Sequence, residues 1–245
     1  MPNNRVLVLM AGGYPTEAVQ KHLVTWDGFP LFERIIDAVS ADMVWIVHNK
    51  FNQGWWNGWL HDNAETTFKD KSISTFLDVQ GGKGQVNNPA LWMTSAFPVL
   101  TMHRPISEVI FSAIDSYFKD FNFMDELMAQ EHAIVVAKSD IYGRPAIDLG
   151  WGGKVKTPPY VCGTNIGHDE GWVYADMMKT TVKEISSRGQ FSRGTMSDVV
   201  TLMMAKGTVF KAVKAKGAYI DCGTPEGLHK AESLYGVKTR GIVVA

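Results

Sequence analysis

Two uninterrupted hydrophobic runs lie near the start of the chain, residues 6–10 and residues 43–47, and His48 closes the second predicted strand. Apolar and polar positions do not alternate in either run, so both predict strands that are buried on both faces of a parallel sheet. Between them, Pro30 precedes apolar residues at helical spacing, which predicts a helix. Strand, helix and strand in this order form a βαβ unit, so the pattern predicts an α/β fold.

Three later stretches also have the character of strands. Residues 133–137 form another continuous apolar run, and residues 208–213 and 218–220 are rich in apolar and β-branched side chains. We expect these stretches to extend the same sheet or to flank it.

Helices are predicted in the second half of the chain. Apolar residues at helical spacing indicate helices over residues 173–188 and 197–206. A third helix is marked by Thr224 as N-cap, Pro225 at the first helical position and Glu226 in the first turn.

The stretch 101–131 is predicted to be an inserted helical segment. Its apolar residues can share one helix face; they are Val109, Ile110, Ala113, Ile114 and Tyr117. The remaining sequence contains no internal repeat or clear linker, and 245 residues can form one large domain. We therefore expect residues 1–245 to form a single domain.

Composition and charge narrow the class of partners. With 45% hydrophobic and 20% charged residues, the chain has the composition of an ordinary globular protein. Its formal net charge of −1 provides no overall attraction to nucleic acid or to an anionic membrane. No apolar run approaches the ~18 residues of a membrane span. The two cysteines, Cys162 and Cys222, are expected to be reduced thiols in a cytoplasmic protein. The sequence is compatible with a homo-oligomer.

The connection after the first predicted strand is long and carries candidate chemistry. It runs over residues 11–29, whereas common βα connections have ~2–6 residues. Backbone amides around Ala11, Gly12 and Gly13 can approach phosphate oxygens or the edge of a base, and Lys21 can neutralise phosphate charge. A tight turn and a solvated surface lysine are the alternative interpretations.

Two aspartates follow predicted strands, Asp140 after residues 133–137 and Asp221 after residues 218–220. Carboxylates at strand ends can hold Mg²⁺, which binds one or two carboxylates together with substrate phosphates. The alternative for each aspartate is a helix cap or a turn residue.

Trp55, Trp56 and Trp59 form a local cluster of indoles. Indoles can stack on sugars or bases, but they more often fill a core or an interface, and we expect the core or interface role here.

Several segments, in a shared order, resemble one enzyme family. Residues 6–13 (Val-Leu-Val-Leu-Met-Ala-Gly-Gly), Lys21 and residues 28–36 are similar to the start of the sugar-phosphate nucleotidyltransferases. Residues 221–226 (Asp-Cys-Gly-Thr-Pro-Glu) resemble that family's Asp-x-Gly-Thr-Pro-Glu stretch, and Ser139-Asp140 resembles its Gly-Asp metal motif.

This resemblance implies a three-layer α/β/α fold of the GT-A type with a mostly parallel mixed sheet. It also implies a reaction in which a sugar 1-phosphate oxygen attacks the α-phosphorus of an NTP and releases pyrophosphate. The implied site consists of Lys21, Asp140 and Asp221 as catalytic residues with both aspartates on Mg²⁺, Ala11, Gly12, Gly13 and Lys21 at the nucleotide, and Gly163 and Asn165 at the acceptor substrate. Gly84, within the glycine-rich residues 81–85, is a further candidate for nucleotide contact, with a flexible turn as the alternative.

One departure from the family leaves other functions open. The family usually has Gly-Gly-x-Gly-Thr-Arg after its first strand, whereas this chain has Gly-Gly-Tyr-Pro-Thr-Glu over residues 12–17 and lacks the arginine. A nucleotide-binding or nucleotide-sugar-binding module without turnover is therefore an alternative. A GT-A glycosyltransferase is another, although residues 138–140 supply only the last aspartate of its usual Asp-x-Asp.

Overall fold

The secondary structure follows from a computed structural model, which describes residues 4–12, 20–63, 66–78, 89–138, 145–161, 171–187, 189, 191 and 194–239. Its strands are β1 (Arg5–Met10), β2 (Val24–Trp26), β3 (Phe29–Pro30), β4 (Met43–His48), β5 (Ser72–Leu77), β6 (Glu108–Ala113), β7 (Ser116–Phe118), β8 (Ala133–Lys138), β9 (Pro145–Ala146), β10 (Tyr160–Val161), β11 (Trp172–Thr181), β12 (Lys211–Lys214), β13 (Tyr219–Asp221) and β14 (Lys238–Thr239). Its α-helices are α1 (Leu31–Ala38), α2 (Gln53–Asn63), α3 (Pro89–Leu91), α4 (Phe97–Thr101), α5 (Met124–Ala129), α6 (Val182–Ser186), α7 (Met196–Ala205) and α8 (Pro225–Tyr235).

The main sheet is mixed and mostly parallel. Its strand order is β10-β9-β11-β6-β1-β4-β5, with β8 paired to β11 and β12 paired to β8. Strands β6, β1, β4 and β5 are parallel, and β12 is parallel to β8. Strand β11 is antiparallel to both β6 and β8. The carboxyl ends of β1, β4, β5, β6, β8 and β12 therefore lie along one edge of the sheet, which we call the carboxyl edge.

Helices cover both faces of this sheet. Phe32 and Ile35 of α1 and Trp56 of α2 are fully buried in the core on one face. Val199 and Met203 of α7 are buried in the core on the other face. Each fully buried side chain of this size contributes about 1.5–3 kcal/mol through removal from water. The predicted three-layer α/β fold is confirmed.

A smaller layer lies beside the main sheet. Strand β13 pairs with β7, and β14 pairs with β2, which in turn pairs with β3. A third core cluster, including Val24, Tyr117 and Cys222, joins these short strands to α8. The last described strand, β14, thus pairs with the long connection between β1 and α1, where the candidate chemistry lies.

The prediction of an inserted helical segment at residues 101–131 is wrong. Strand β6 lies in this stretch and occupies the centre of the sheet, between β1 and β11, and β7 follows it. Only α5 and the end of α4 are helical. Val109, Ile110 and Phe111 are all fully buried, so the run shows no alternation and its apolar pattern could not separate a strand from a helix.

The predicted helix over residues 173–188 is also largely wrong, because β11 takes up residues 172–181 and only α6 is helical. Lysine, methionine and alanine favour helices in isolation, but pairing with β6 and β8 outweighs that preference. A register shift between Tyr174 and Met178 contains Asp176 at φ 49°, which marks a bulge in this strand.

The other predicted elements are confirmed within a few residues. Strands β1, β4 and β8 match the apolar runs. Helix α7 begins after Thr195, whose side chain forms a capping box with Asp198. Helix α8 begins after Thr224, whose hydroxyl accepts the N–H of Gly227. In the described part of the chain, every helix is too short or too polar to cross a bilayer.

Candidate active site

The first strand ends beside the glycine loop, but Ala11 is not available to a ligand through its amide. Its N–H donates to the carbonyl oxygen of Val47 at 2.8 Å, and the residue is 2% exposed. Ala11 thus extends the ladder between β1 and β4. Gly12 follows and is partly buried, whereas Gly13 lies outside the described residues.

Lys21 forms an ion pair with Asp115, a residue that the sequence analysis did not identify. The Nζ atom of Lys21 lies 2.8 Å from Oδ2 of Asp115, and the side chains are 26% and 5% exposed respectively. Lys21 starts a 3₁₀ turn in the connection after β1, and Asp115 follows β6 at the carboxyl edge. Because β6 and β1 are adjacent, the sheet itself brings this lysine and this carboxylate together.

Gly223 completes the surroundings of the Asp115 carboxylate. An ideal Cβ on Gly223 would lie 1.9 Å from Oδ2 of Asp115 and 2.9 Å from Nζ of Lys21. The amide of Cys222 donates to the carbonyl oxygen of Asp115 at 2.9 Å, which continues the pairing of β13 with β7. The Asp-x-Gly stretch is therefore held directly against the ion pair.

Asp221 lies at the end of β13, and its Oδ1 accepts the N–H of Gly223 at 2.9 Å. Burial raises the pKa of the Cys222 thiol, and the negative charges of Asp115 and Asp221 raise it further. The two carboxylates meet at Gly223, whose N–H binds Asp221 and whose Cβ position lies against Asp115. Cys222 is fully buried and stays protonated near neutral pH, so it is a packing residue.

The remaining predicted site residues, Asp140, Gly84, Gly163 and Asn165, lie outside the described residues, and their roles stay predictions. Strand β8, which precedes Asp140, is separated from β6 by β11. Asp115 instead follows the strand next to β1. The sequence signal for Asp115 was an apolar run ending in an acidic residue, the same pattern that drew attention to Asp140.

The tryptophan cluster supports the segment that carries Lys21. The ring of His22 lies 4.6 Å from that of Trp55, and Trp56 and Trp59 pack against Phe32. Trp56 is fully buried and Trp59 is 7% exposed, which confirms the predicted core role for both. Burial lowers the pKa of His22 to about 4, so this ring is neutral at pH 7.

The donor set at this site suits a hard cation bound together with phosphates. Among the described residues, no three side chains of His, Cys, Asp or Glu are grouped as a self-sufficient metal site. Mg²⁺ does not require one, because it binds through one or two carboxylates and completes its coordination with water and substrate phosphates. Asp115 and Asp221 provide carboxylates of this kind beside the lysine.

The fold is shared with solved structures of similar length. A Bacillus anthracis protein named as a glucose-1-phosphate thymidylyltransferase, in complex with sucrose, has a TM-score of 0.70 and 16% identity, with 98% of each chain covered. The inositol-1-phosphate CTP transferase from T. maritima has a TM-score of 0.66 and 15% identity, with 95% of each chain covered. HddC from Yersinia pseudotuberculosis has a TM-score of 0.64 and 19% identity, covering 93% of this chain and 97% of its own.

At sequence identities of 15–19%, this structural similarity shows that the chain shares their fold. No protein-family model matches the sequence, and a comparison with curated proteins found no match.

Proposed function

We propose that this chain is a nucleotidyltransferase that joins an NTP to a phosphorylated small molecule, a sugar 1-phosphate, and releases pyrophosphate. The observation that carries the proposal is the Lys21–Asp115 ion pair at the carboxyl edge, with Asp221 beside it. Open α/β sheets bind their ligands at this edge. Two of the similar structures are named for nucleotidyl transfer to glucose 1-phosphate and to inositol 1-phosphate, which supports the same reaction class here.

The proposed reaction is a displacement at phosphorus. An oxygen of the acceptor phosphate attacks the α-phosphorus of the NTP, the bond between that phosphorus and the bridging oxygen to the β-phosphate breaks, and pyrophosphate leaves. The attacking phosphate is already ionised near pH 7, so no side chain has to remove a proton from it. Catalysis then consists of positioning and charge stabilisation.

Lys21 has the main electrostatic role in this proposal. Its ammonium group would neutralise negative charge on the phosphates, and its ion pair with the buried Asp115 fixes its position before substrate arrives. The backbone around Gly12 would approach the nucleotide, as the sequence analysis predicted. Gly223 has no side chain, which allows the Asp115 carboxylate and the Lys21 ammonium group to meet beside its backbone.

We further propose that Asp115 and Asp221 are the residues that hold Mg²⁺. Their oxygen atoms are the donors that this cation prefers, and both residues contact Gly223, Asp221 through the N–H and Asp115 at the Cβ position. When bound, the ion supplies charge neutralisation to the phosphate oxygens. Asp115 fits this role because it follows the strand adjacent to β1 and contacts Lys21. The free, buried thiol of Cys222 is compatible with the reducing cytoplasm in which we expect the protein to work.

The test is release of pyrophosphate from each of the common NTPs combined with a panel of sugar 1-phosphates, in Mg²⁺ and in EDTA. We expect one pair to give pyrophosphate and a nucleotide-sugar in Mg²⁺ only. Asp115→Asn measures the contribution of the site, and Asp70→Asn, an exposed aspartate, is the matched control.

The same assay separates the alternatives. Ligand-induced thermal stabilisation without pyrophosphate from any pair would favour a binding module, which the missing arginine motivates. Release of a sugar from UDP- or GDP-sugars, without pyrophosphate formation, would favour a GT-A glycosyltransferase.

A further inference from the structure

Two lysines and one tryptophan form a basic patch at the carboxyl edge, which we call the lysine–tryptophan patch (Lys138, Trp172 and Lys214). The Nζ atom of Lys138 lies 4.5 Å from the centroid of the Trp172 ring, and that of Lys214 lies 4.6 Å from it. Lys138 is directly paired with Trp172 across β8 and β11, and Lys214 ends the neighbouring β12. The sheet therefore fixes all three residues at one place.

The positive charge of this patch is not balanced by the described part of the chain. Ion pairs between described residues involve neither Lys138 nor Lys214, and both lysines are exposed. An exposed cation–π contact contributes only about 0.5–1 kcal/mol. Two ammonium groups around one indole also repel each other, so a bound anion would stabilise the arrangement.

Along the carboxyl edge, the two lysines of the patch lie beyond β6 and β11 as counted from β1, the strand that precedes the glycine loop. Strand β8 is two positions from β6, which leads to Asp115, and β12 is three positions from it. With neighbouring strands ~4.8 Å apart, the patch is roughly 10–14 Å from the Lys21–Asp115 pair along the edge. This separation suits an acceptor whose reacting phosphate is at the ion pair and whose far end reaches the patch.

We infer that the acceptor substrate carries a second anionic group, remote from its reacting phosphate, which Lys138 and Lys214 bind. A carboxylate or a second phosphate has this chemistry, and charge-assisted hydrogen bonds from ammonium groups suit both. The inference rests on the proposed function and deepens it, because it names the class of acceptor: an acidic sugar 1-phosphate or a sugar bisphosphate.

The experiment compares matched acceptors by calorimetric titration, with and without a non-hydrolysable NTP analogue. Glucose 1-phosphate is the neutral-ended member, glucuronic acid 1-phosphate adds a carboxylate and glucose 1,6-bisphosphate adds a phosphate. The galactose series repeats the comparison. We expect at least one doubly anionic acceptor to bind about 100-fold more tightly than its neutral partner, since each charged hydrogen bond is worth about tenfold or more. The doubly anionic acceptor that binds more tightly shows whether the second anion is a carboxylate or a phosphate.

The variants Lys138→Gln, Lys214→Gln and their combination then test the patch. Each single variant should lose about tenfold of the preference and the double variant all of it, while affinity for the neutral-ended acceptor stays unchanged. Lys154→Gln, an exposed lysine that bridges to Lys211 at the opposite end of β12, should behave as wild type. Equal binding of all acceptors to the wild type, absence of binding, or a preference retained in the double variant would overturn the inference.

Failure of this inference differs from failure of the proposed function. Turnover with equal use of neutral-ended and doubly anionic acceptors would retain the nucleotidyltransferase and remove the anion site. A preference that depends on the two lysines, without pyrophosphate release from any NTP, would retain the anion site and remove the reaction.

Discussion

Gly223 packs against Asp115 so closely that a side chain at this position would have to displace the carboxylate. A Cβ there would lie 1.9 Å from Oδ2 of Asp115, whereas real Cβ contacts under 3.0 Å essentially do not occur. The neighbouring carboxylate is therefore the reason that the Asp-x-Gly stretch has a glycine at this position. The backbone conformation does not require one, since the φ angle of Gly223 is not positive. This contact joins the residues that follow β13 to Asp115, which follows β6.

Gly223→Ala should disable the site with a moderate loss of stability. The added methyl group must displace the Asp115 carboxylate and with it the partner of Lys21, and misplacement of about 1 Å can cost roughly 100-fold in rate. Pyrophosphate release and urea unfolding measure the two effects. Gly58→Ala is the control: it lies in α2 with no atom within 4 Å of its ideal Cβ, so it should leave activity unchanged and raise the free energy of unfolding by up to about 1 kcal/mol.

Asp115→Asn and Lys21→Ala should each lower kcat/KM by about 10²–10³, the scale for loss of one charge-stabilising group. The two residues act as a pair, so the double variant should lose much less than the product of the single losses. Steady-state kinetics with saturating NTP provide the comparison. Wild-type rates in Asp115→Asn, or fully multiplicative losses in the double variant, would contradict the role of the ion pair.

Local sequence signals were sufficient for one half of this site. Lys21 lies in an unusually long βα connection, and Asp221 ends a predicted strand before a capped helix start. Both signals depend on neighbours in the sequence. Helices α7 and α8 were predictable for the same reason, because Thr195 and Thr224 provide caps that are visible locally.

Asp115 carries the same local signal as Asp140, a mainly apolar run followed by an acidic residue, and only the order of strands in the sheet shows that Asp115 follows the strand next to β1. The run over residues 109–114 is apolar except for Ser112, and only its pairing with β1 and β11 makes it a central strand. Strand β11 was missed for a related reason: Met177, Met178 and Lys179 are all buried in the sheet although lysine and methionine favour helices. Non-local pairing decided both elements.

Mild acid should destabilise the protein through two histidines that are buried without charge. Burial lowers the pKa of His22 to about 4, and burial also lowers the pKa of His48. Between pH 6.5 and 4 the unfolded chain therefore binds more protons than the folded chain, so stability is present above pH 6.5 and is lost as the pH falls toward 4. For His22 alone the loss at pH 5 is about 2 kcal/mol.

Urea unfolding at pH 7.5 and pH 5.0 measures this loss, and His22→Gln should reduce the difference between the two pH values. The matched control is His61→Gln, because the side chain of His61 is 88% exposed in the folded protein. An unchanged pH dependence in His22→Gln would assign the acid sensitivity to other groups.

A buried lysine holds together the end of the sheet opposite the site, and its ion pair should contribute to stability alone. Lys179 is 1% exposed, and its ammonium donates to Glu108 at 2.8 Å and to the carbonyl oxygens of Met128 and Gln130. Burial raises the pKa of Glu108, but hydrogen bonds from Lys179 and Arg5 outweigh this and lower it overall. Glu108→Gln leaves the lysine charge without its carboxylate and should cost about 2–4 kcal/mol of unfolding free energy.

Adding Lys179→Met to Glu108→Gln removes the buried charge itself. The double variant should therefore lose less stability than the sum of the single losses, because breaking a buried pair is more costly than replacing it. Urea unfolding of all four proteins gives the coupling energy, and kcat/KM should stay at the wild-type value in each. Strictly additive losses would mean that Lys179 is held by the two carbonyl oxygens, with Glu108 contributing nothing to its burial.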